Sequence, residues 1–264
     1  MKTRALIIMA TRGQDQSIVA DFADSLGITP DSFPALRSTD TIENQQGFLL
    51  PSFGWHPWFS HQIYDDRHTA SAKARTFSKR DHYERVISPS PDDDGFIDSL
   101  PEPRPLSLLI AQARTLLENY PLALVGEIGL DRAFRIPGNE TVDDGYEKDP
   151  DLTPGGREGR RLSPYRVDIE HQRTILKAQL NLAGEMRRAV SVHGVAAHGM
   201  MFETLQKTWQ GYEKPVLSKR QRKRRVSVET AYRHEDEAEI KGWLLEDGVK
   251  QLAANWMHYA FGRK

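Results

Sequence analysis

Two residues in this chain have the type and position that metal chemistry needs. Glu127 lies in Ala123-Leu-Val-Gly-Glu-Ile-Gly-Leu-Asp131, where an apolar run, Leu122 to Val125, meets Gly126, Glu127, Ile128 and Gly129. A short apolar run bounded by glycines reads as a buried strand of a parallel sheet. An acid at the carboxyl end of such a strand is costly unless it is paired or bound to a cation. That end of a strand is also where α/β folds place their chemistry. An acid that caps a helix or pairs with an arginine accounts for the motif equally well. The second residue is His193, which closes the strand-like run Ala189-Val-Ser-Val-His193. Taken alone it reads as a buried histidine hydrogen-bonded to backbone. Taken in register with Glu127, it reads as the imidazole partner of a metal-binding carboxylate.

The elements that must position these residues follow from periodicity. Strands are expected near 5–9, 48–53, 122–127 and 189–193, and helices over about 17–26, 106–120, 163–188 and 198–209. Ser163-Pro164 supplies a helix start, with serine as N-cap and proline at the first helical position. The β-α alternation argues for a parallel sheet with helices outside it. Three polar stretches interrupt it, near 64–103, 135–163 and 212–242. Too few apolar residues offset their ordering entropy, so irregular and mobile insertions are expected, apart from a short helix in the first. A full (β/α)₈ barrel takes roughly 250 residues, so the remainder accommodates about five β/α units. The expected organisation is an incomplete TIM-type (β/α) barrel over 1–211, a charged disordered segment over 212–242, and an amphipathic helix over 243–264 with Leu245, Val249, Leu252 and Trp256 on one face.

Composition narrows the function classes. The chain has 264 residues and a formal net charge of −1, so nothing global points to nucleic acid or membrane. Cysteine is absent, which excludes disulfides and thiolate metal sites. The apolar run Ala5 to Ala10 falls short of the roughly 7 residues of a signal-peptide core, and no run approaches the roughly 18 of a membrane span. A nuclear or cytoplasmic, non-secreted protein is the expectation. One local charge signal stands out. Lys219, Arg220, Arg222, Lys223, Arg224 and Arg225 place six cations in seven positions. Such a run serves nuclear import or phosphate contact, or is a solvated charge run. Ser227, in Arg224-Arg-Val-Ser227, is presented to a basic-directed kinase, and phosphorylation would add about −1.5 to −2 charges beside the cluster.

Four stretches, taken together, resemble the TatD family of metal-dependent deoxyribonucleases. They are Gly54-Trp-His-Pro57, Val125-Gly-Glu-Ile-Gly-Leu-Asp131, Gln172 followed by Gln179-Leu-Asn-Leu-Ala183, and Ala189-Val-Ser-Val-His193. Order and spacing match as well as the motifs, over roughly Lys2 to Trp209. The likeness is greatest to a fungal branch named for binding a subunit of the anaphase-promoting complex. It implies a (β/α) barrel, a two-metal site at the mouth formed by the C-terminal strand ends, Mg²⁺, Mn²⁺ or Zn²⁺ as cofactor, DNA as substrate and such a subunit as partner. Glu127 and His193 correspond to metal-ligating, catalytic residues. His56 corresponds to the mouth histidine near the substrate, and Asp131 to a residue that supports a ligand from behind.

The departures matter as much. The family's His-x-His pair on the first strand, its later His-Ser or His-Cys motif and its terminal metal-binding aspartate have no counterpart. His258 lies in a stretch of helical spacing, and Trp58 stands where a second histidine is common. Two divalent cations about 3.5–4 Å apart need a larger ligand cluster than Glu127 and His193 provide. The expectation is therefore a barrel truncated at both ends that binds metal weakly or not at all and hydrolyses DNA little or not at all. A non-catalytic scaffold of the cell-cycle machinery and a non-functional fragment of a longer gene product are the alternatives.

Overall fold

A computed structural model describes residues 5–28, 48–67, 78–141 and 160–209. The basic cluster at Lys219 to Arg225, Ser227, the expected 212–242 segment and the expected helix over 243–264 lie outside these residues. Four strands form the central sheet: β1 (Ala5–Met9), β2 (Phe48–Phe53), β6 (Leu124–Asp131) and β10 (Val190–Val195), in the order β1-β2-β6-β10. All neighbouring pairs are parallel. The sheet curls with helices outside it. They are α1 (Gly13–Leu26), α4 (Leu106–Asn119), α5 (Ile169–Met186) and α6 (His198–Trp209). The fold class is α/β, with half of the eight strands of a TIM-type barrel among the described residues. No described helix is long and apolar enough to cross a membrane.

Two strands run further than expected. The third continues through both glycines to Asp131, and the fourth extends to Val195. The glycines are not strand ends but points where neighbouring strands press close. A Cβ on Gly129 would lie 2.0 Å from the His193 carbonyl oxygen, and one on Gly126 would lie 2.8 Å from Ser191 Cβ. Glu127 is therefore a mid-strand residue, with Asp131 at the strand's end.

The main core packs the inner sheet residues Phe53, Val125, Ile128 and Leu130 with Leu176, Leu180 and Ala183 of α5 and Leu117 of α4. Helix α5 begins five residues later than the Ser-Pro signal suggested. Its N-cap is Asp168, whose Oδ1 accepts from the His171 N–H at 2.9 Å. Ser163 is instead buried and donates to the Ile136 carbonyl at 2.5 Å.

The first two insertions are more ordered than expected in their described parts, 78–103 of the first and 135–141 and 160–163 of the second. Residues 78–105 form α2 (Lys79–Val86), β4 (Ile87–Ser88), α3 (Asp94–Ser99) and β5 (Arg104–Pro105), which pairs with β3 (Ile63–Tyr64). Side-chain caps start both helices, Ser78 accepting from the Asp81 N–H and Asp93 from the Phe96 N–H. Within the second insertion, β7 (Pro137–Thr141) pairs antiparallel with β8 (Arg160–Leu162), and β9 (Arg166–Val167) follows and pairs with β4. Each insertion has few apolar residues, but the two pool them. Tyr83, Val86, Phe96 and Ile97 from the first meet Ile136 from the second and Tyr165 and Val167 beyond it in one buried cluster. Burying a large apolar side chain is worth about 1.5–3 kcal/mol, so a shared cluster offsets an ordering cost that neither stretch could offset alone.

Candidate metal centre

Register explains why Glu127 and His193 converge. His193 pairs with Gly129, and side chains two apart on a strand point to the same face. Glu127 and His193 are thus diagonal neighbours on one face of the sheet. The absent Cβ at Gly129 lets the two backbones approach closely enough for them to meet. His56 follows β2 and is pinned by its N–H, which donates to the Thr11 carbonyl at 2.9 Å. The Pro57–Gln62 3₁₀ helix starts at that point, with proline in its first turn.

Two glutamines on α5 brace the floor. Gln179 accepts from the Trp55 N–H at 2.7 Å and donates to the Trp55 carbonyl at 3.1 Å. Gln172 does the same for Asp131 at 2.8 and 3.0 Å and also reaches the Val167 carbonyl. Both are buried, and a separation of seven puts them on one helix face. They fix the backbone that precedes His56 and the backbone at the end of β6. Gln179→Leu should leave the Trp55 N–H and C=O unsatisfied and cost about 2 kcal/mol. A shifted urea midpoint at unchanged slope is the check.

His56, Glu127 and His193 each offer a ligand atom, and these atoms all lie within 4.8 Å of one another. His193 Nδ1 is 3.4 Å from Glu127 Oε1, and His56 Nε2 is 3.8 Å from Glu127 Oε2. Asp131, nearly buried at 5 % exposure, sits behind them with Oδ2 2.9 Å from His193 Nε2. The structure therefore brings together all four residues singled out in the sequence. It places His56 within the cluster and Asp131 behind His193. The Trp58 indole, which the sequence gave no functional reason to single out, joins them by donating to Asp131 Oδ2 at 2.7 Å.

The charges follow from this packing. Burial disfavours the His193 imidazolium, but hydrogen bonds to Asp131 and Glu127 outweigh it and push the pKa up to about 9. Burial and the nearby His193 charge hold His56 down at about 4. The hydrogen bond from His193, opposed by burial, lowers Glu127. Burial raises Asp131, but hydrogen bonds from His193, Trp58 and the Phe134 and Ala133 N–H groups more than reverse it and hold the carboxyl well below the usual range. Metal-free, the cluster is a cationic imidazole between two carboxylates beside a neutral imidazole. A divalent cation would displace the His193 Nδ1 proton and take over its charge. Two imidazoles and one carboxylate make a donor set that suits a catalytic divalent ion and leaves positions open. His56 has one competing bond, since the Trp58 N–H points at its Nδ1 at 3.3 Å. Ligation through Nε2 moves the neutral ring's proton to Nδ1 and gives up that contact.

A curled parallel sheet with outer helices and a histidine–carboxylate cluster carried on its strands is the architecture of TIM-barrel metallo-dependent hydrolases. Within that class, the chain belongs to the TatD-related DNase family, whose model matches residues 18–218. It is 36% identical over 230 residues to the Cut9-interacting protein scn1 of Schizosaccharomyces pombe, covering 87% of this chain and 59% of that protein. It is 30% identical over 158 residues to the uncharacterized deoxyribonuclease YMR262W of Saccharomyces cerevisiae, covering 58% of this chain and 42% of that protein. The chain thus spans about half the length of these curated relatives.

Proposed function

We propose that this chain is a metal-dependent phosphodiesterase acting on DNA, with His56, Glu127 and His193 holding one divalent cation and with low turnover. The convergence of those three ligand atoms within 4.8 Å carries the reading. Bound there, Mg²⁺, Mn²⁺ or Zn²⁺ would act as a Lewis acid on a phosphoryl oxygen and acidify a water. Glu127 supplies the anionic donor. His193 turns Nδ1 toward the cation because Asp131 engages Nε2. His56, buried at the rim, offers Nε2. Low turnover follows from the donor count. Among the described residues three donors suit one cation, whereas a two-metal clamp on both attacking and leaving oxygens needs more ligands.

The test is metal binding by calorimetry and hydrolysis of single- and double-stranded DNA with each ion, for the parent, Glu127→Ala and His193→Ala. Binding should be measurable in the parent and lost in both variants, with slow metal-dependent cleavage by the parent alone. A parent that binds none of these ions sinks the metal centre. Rapid cleavage that both variants lose would keep the centre and overturn the low turnover.

A second reading is a scaffold role through a subunit of the anaphase-promoting complex, the partner the family resemblance implies; the S. pombe relative is itself named for interacting with Cut9. Nuclear or cytoplasmic residence goes with either reading, the basic run Lys219 to Arg225 supplying the import signal. A pull-down with the Glu127→Ala variant separates the readings, because a scaffold role survives loss of the metal.

A further inference from the structure

Trp58 donates its only side-chain hydrogen bond to Asp131, and the surrounding contacts form a closed ring. Asp131 Oδ1 accepts the Ala133 and Phe134 N–H groups, both at 2.8 Å. The Phe134 ring stacks on Trp58 with centroids 4.6 Å apart and planes 13° from parallel. The Trp58 indole N–H then returns to Asp131 Oδ2 at 2.7 Å. His193 Nε2 reaches the same oxygen at 2.9 Å. Two backbone donors on Oδ1 set the pivot of the carboxylate, and the indole decides where Oδ2 points. Trp58 is held in turn by Phe134 on its face and by the His56 ring against it, at 4.6 Å with planes 73° apart. An indole N–H is a donor only, so it cannot compete with Asp131 as an acceptor of the His193 Nε2 proton.

Building on the metal centre proposed above, we propose that Trp58 is a positioning residue for His193, locking Asp131 onto Nε2 so that Nδ1 faces Glu127 and the cation. A group that hydrogen-bonds the far nitrogen of a ligating histidine fixes its tautomer and ring orientation. Here Asp131 is that group, and Trp58 acts one step further out. In Trp58→Phe the ring is kept and only the N–H is lost. Oδ2 then turns about its Oδ1 anchor or takes a water, and the His193 ring loses its fixed direction.

The experiment uses the full chain. Mn²⁺ and Zn²⁺ dissociation constants are measured for the parent, W58F, D131N and the double variant. Asparagine keeps an acceptor for the Ala133 and Phe134 N–H groups, so D131N retains the turn. Loss of a direct partner costs about 10–100-fold in metal affinity, so a group one step out costs less than that. Expected values are thus a weakening of about 10–100-fold for D131N, a smaller but measurable one for W58F, and a double variant within about twofold of D131N, because W58F acts through the residue already changed. A purely structural role would make the two effects additive, and that result overturns the proposal. A metal-free arm keeps it testable if the parent binds no ion, which would sink the metal centre itself. ¹⁵N-edited NMR should show the His193 Nε2 proton protected from exchange in the parent and exchanging faster in W58F. Unchanged exchange in W58F overturns the positioning role whatever the metal does.

Discussion

Gly129→Ala should destabilise the chain by at least about 3 kcal/mol, the upper end of what overpacking costs. The added Cβ would lie 2.0 Å from the His193 carbonyl oxygen and 2.8–2.9 Å from two further backbone atoms of the same residue. Nothing there is the flexible end of a side chain, so β6 and β10 must part. Parting them breaks the pairing from Val192 to Val195 and moves His193 away from Glu127. Stability and metal affinity should therefore fall together. Gly194→Ala and Gly184→Ala are the controls, since a Cβ at either position meets nothing within 4 Å. Gly184 lies within α5, where alanine is favoured by up to about 1 kcal/mol, so that variant should be slightly stabilised. Urea unfolding of the three variants decides it. A Gly129→Ala midpoint within error of the parent would mean that the strands do not approach as described.

The same glycine shows how much of the fold the sequence carried and where it misled. Apolar periodicity located β1 and β2 to the residue and the helices α1, α4 and α6 to within a few positions, because these elements are patterned by burial alone. The Gly126-Glu127-Ile128-Gly129 run was misleading in one respect. Glycine ends a strand when it supplies a turn and continues it when it admits a neighbouring backbone, and one chain cannot show which. Register was also out of reach, yet register puts Glu127 and His193 on one face. Gln172 and Gln179 entered only as motif residues, although polar residues seven apart on an otherwise apolar helix face point to buried hydrogen bonds. Which backbone they serve depends on tertiary placement. Trp58 was visible only as a substitution, because its partner Asp131 lies 73 positions away. The folded parts of the insertions were missed for a related reason, since each was weighed alone and the buried cluster draws on both.

Acid should unfold this chain steeply, through histidines remote in function from the metal centre. His61, in the 3₁₀ helix that follows His56, and His82 are buried, and His171, partly buried, packs edge-on against the His82 ring. His82 Nε2 bonds the His61 carbonyl at 2.8 Å, and His171 Nε2 bonds the Ser60 carbonyl at 2.9 Å. Burial, together with neighbouring His171 and His82, lowers His61 to about 3. Burial lowers His82 to about 4 against the bond to His61, with His171 and Arg85 adding to the shift. His171 is lowered as well, again by burial, opposed by its backbone bonds and by Asp168. In the unfolded chain all three return to about 6.5. Above that value they are neutral in both states and stability is at its full level. Below it the unfolded chain binds protons that the folded chain refuses, so stability falls with falling pH until the folded values near 3–4 are reached. Each such histidine contributes a slope of about 1.4 kcal/mol per pH unit, so His61 and His82 alone give about 3. Two units of acidification then remove about 6 kcal/mol, comparable with the whole stability of a typical domain. His193, raised to about 9, does not alter this limb. Its contribution is complete below 6.5 and is lost progressively as pH rises from there through 9 in the metal-free chain. Urea midpoints at pH 7, 5.5 and 4.5 should fall steeply for the parent and less steeply for His61→Gln, which removes one titrating group. Equal slopes for the two proteins would show that His61 is already protonated or exposed in the folded chain, and that these histidines do not set its acid limit.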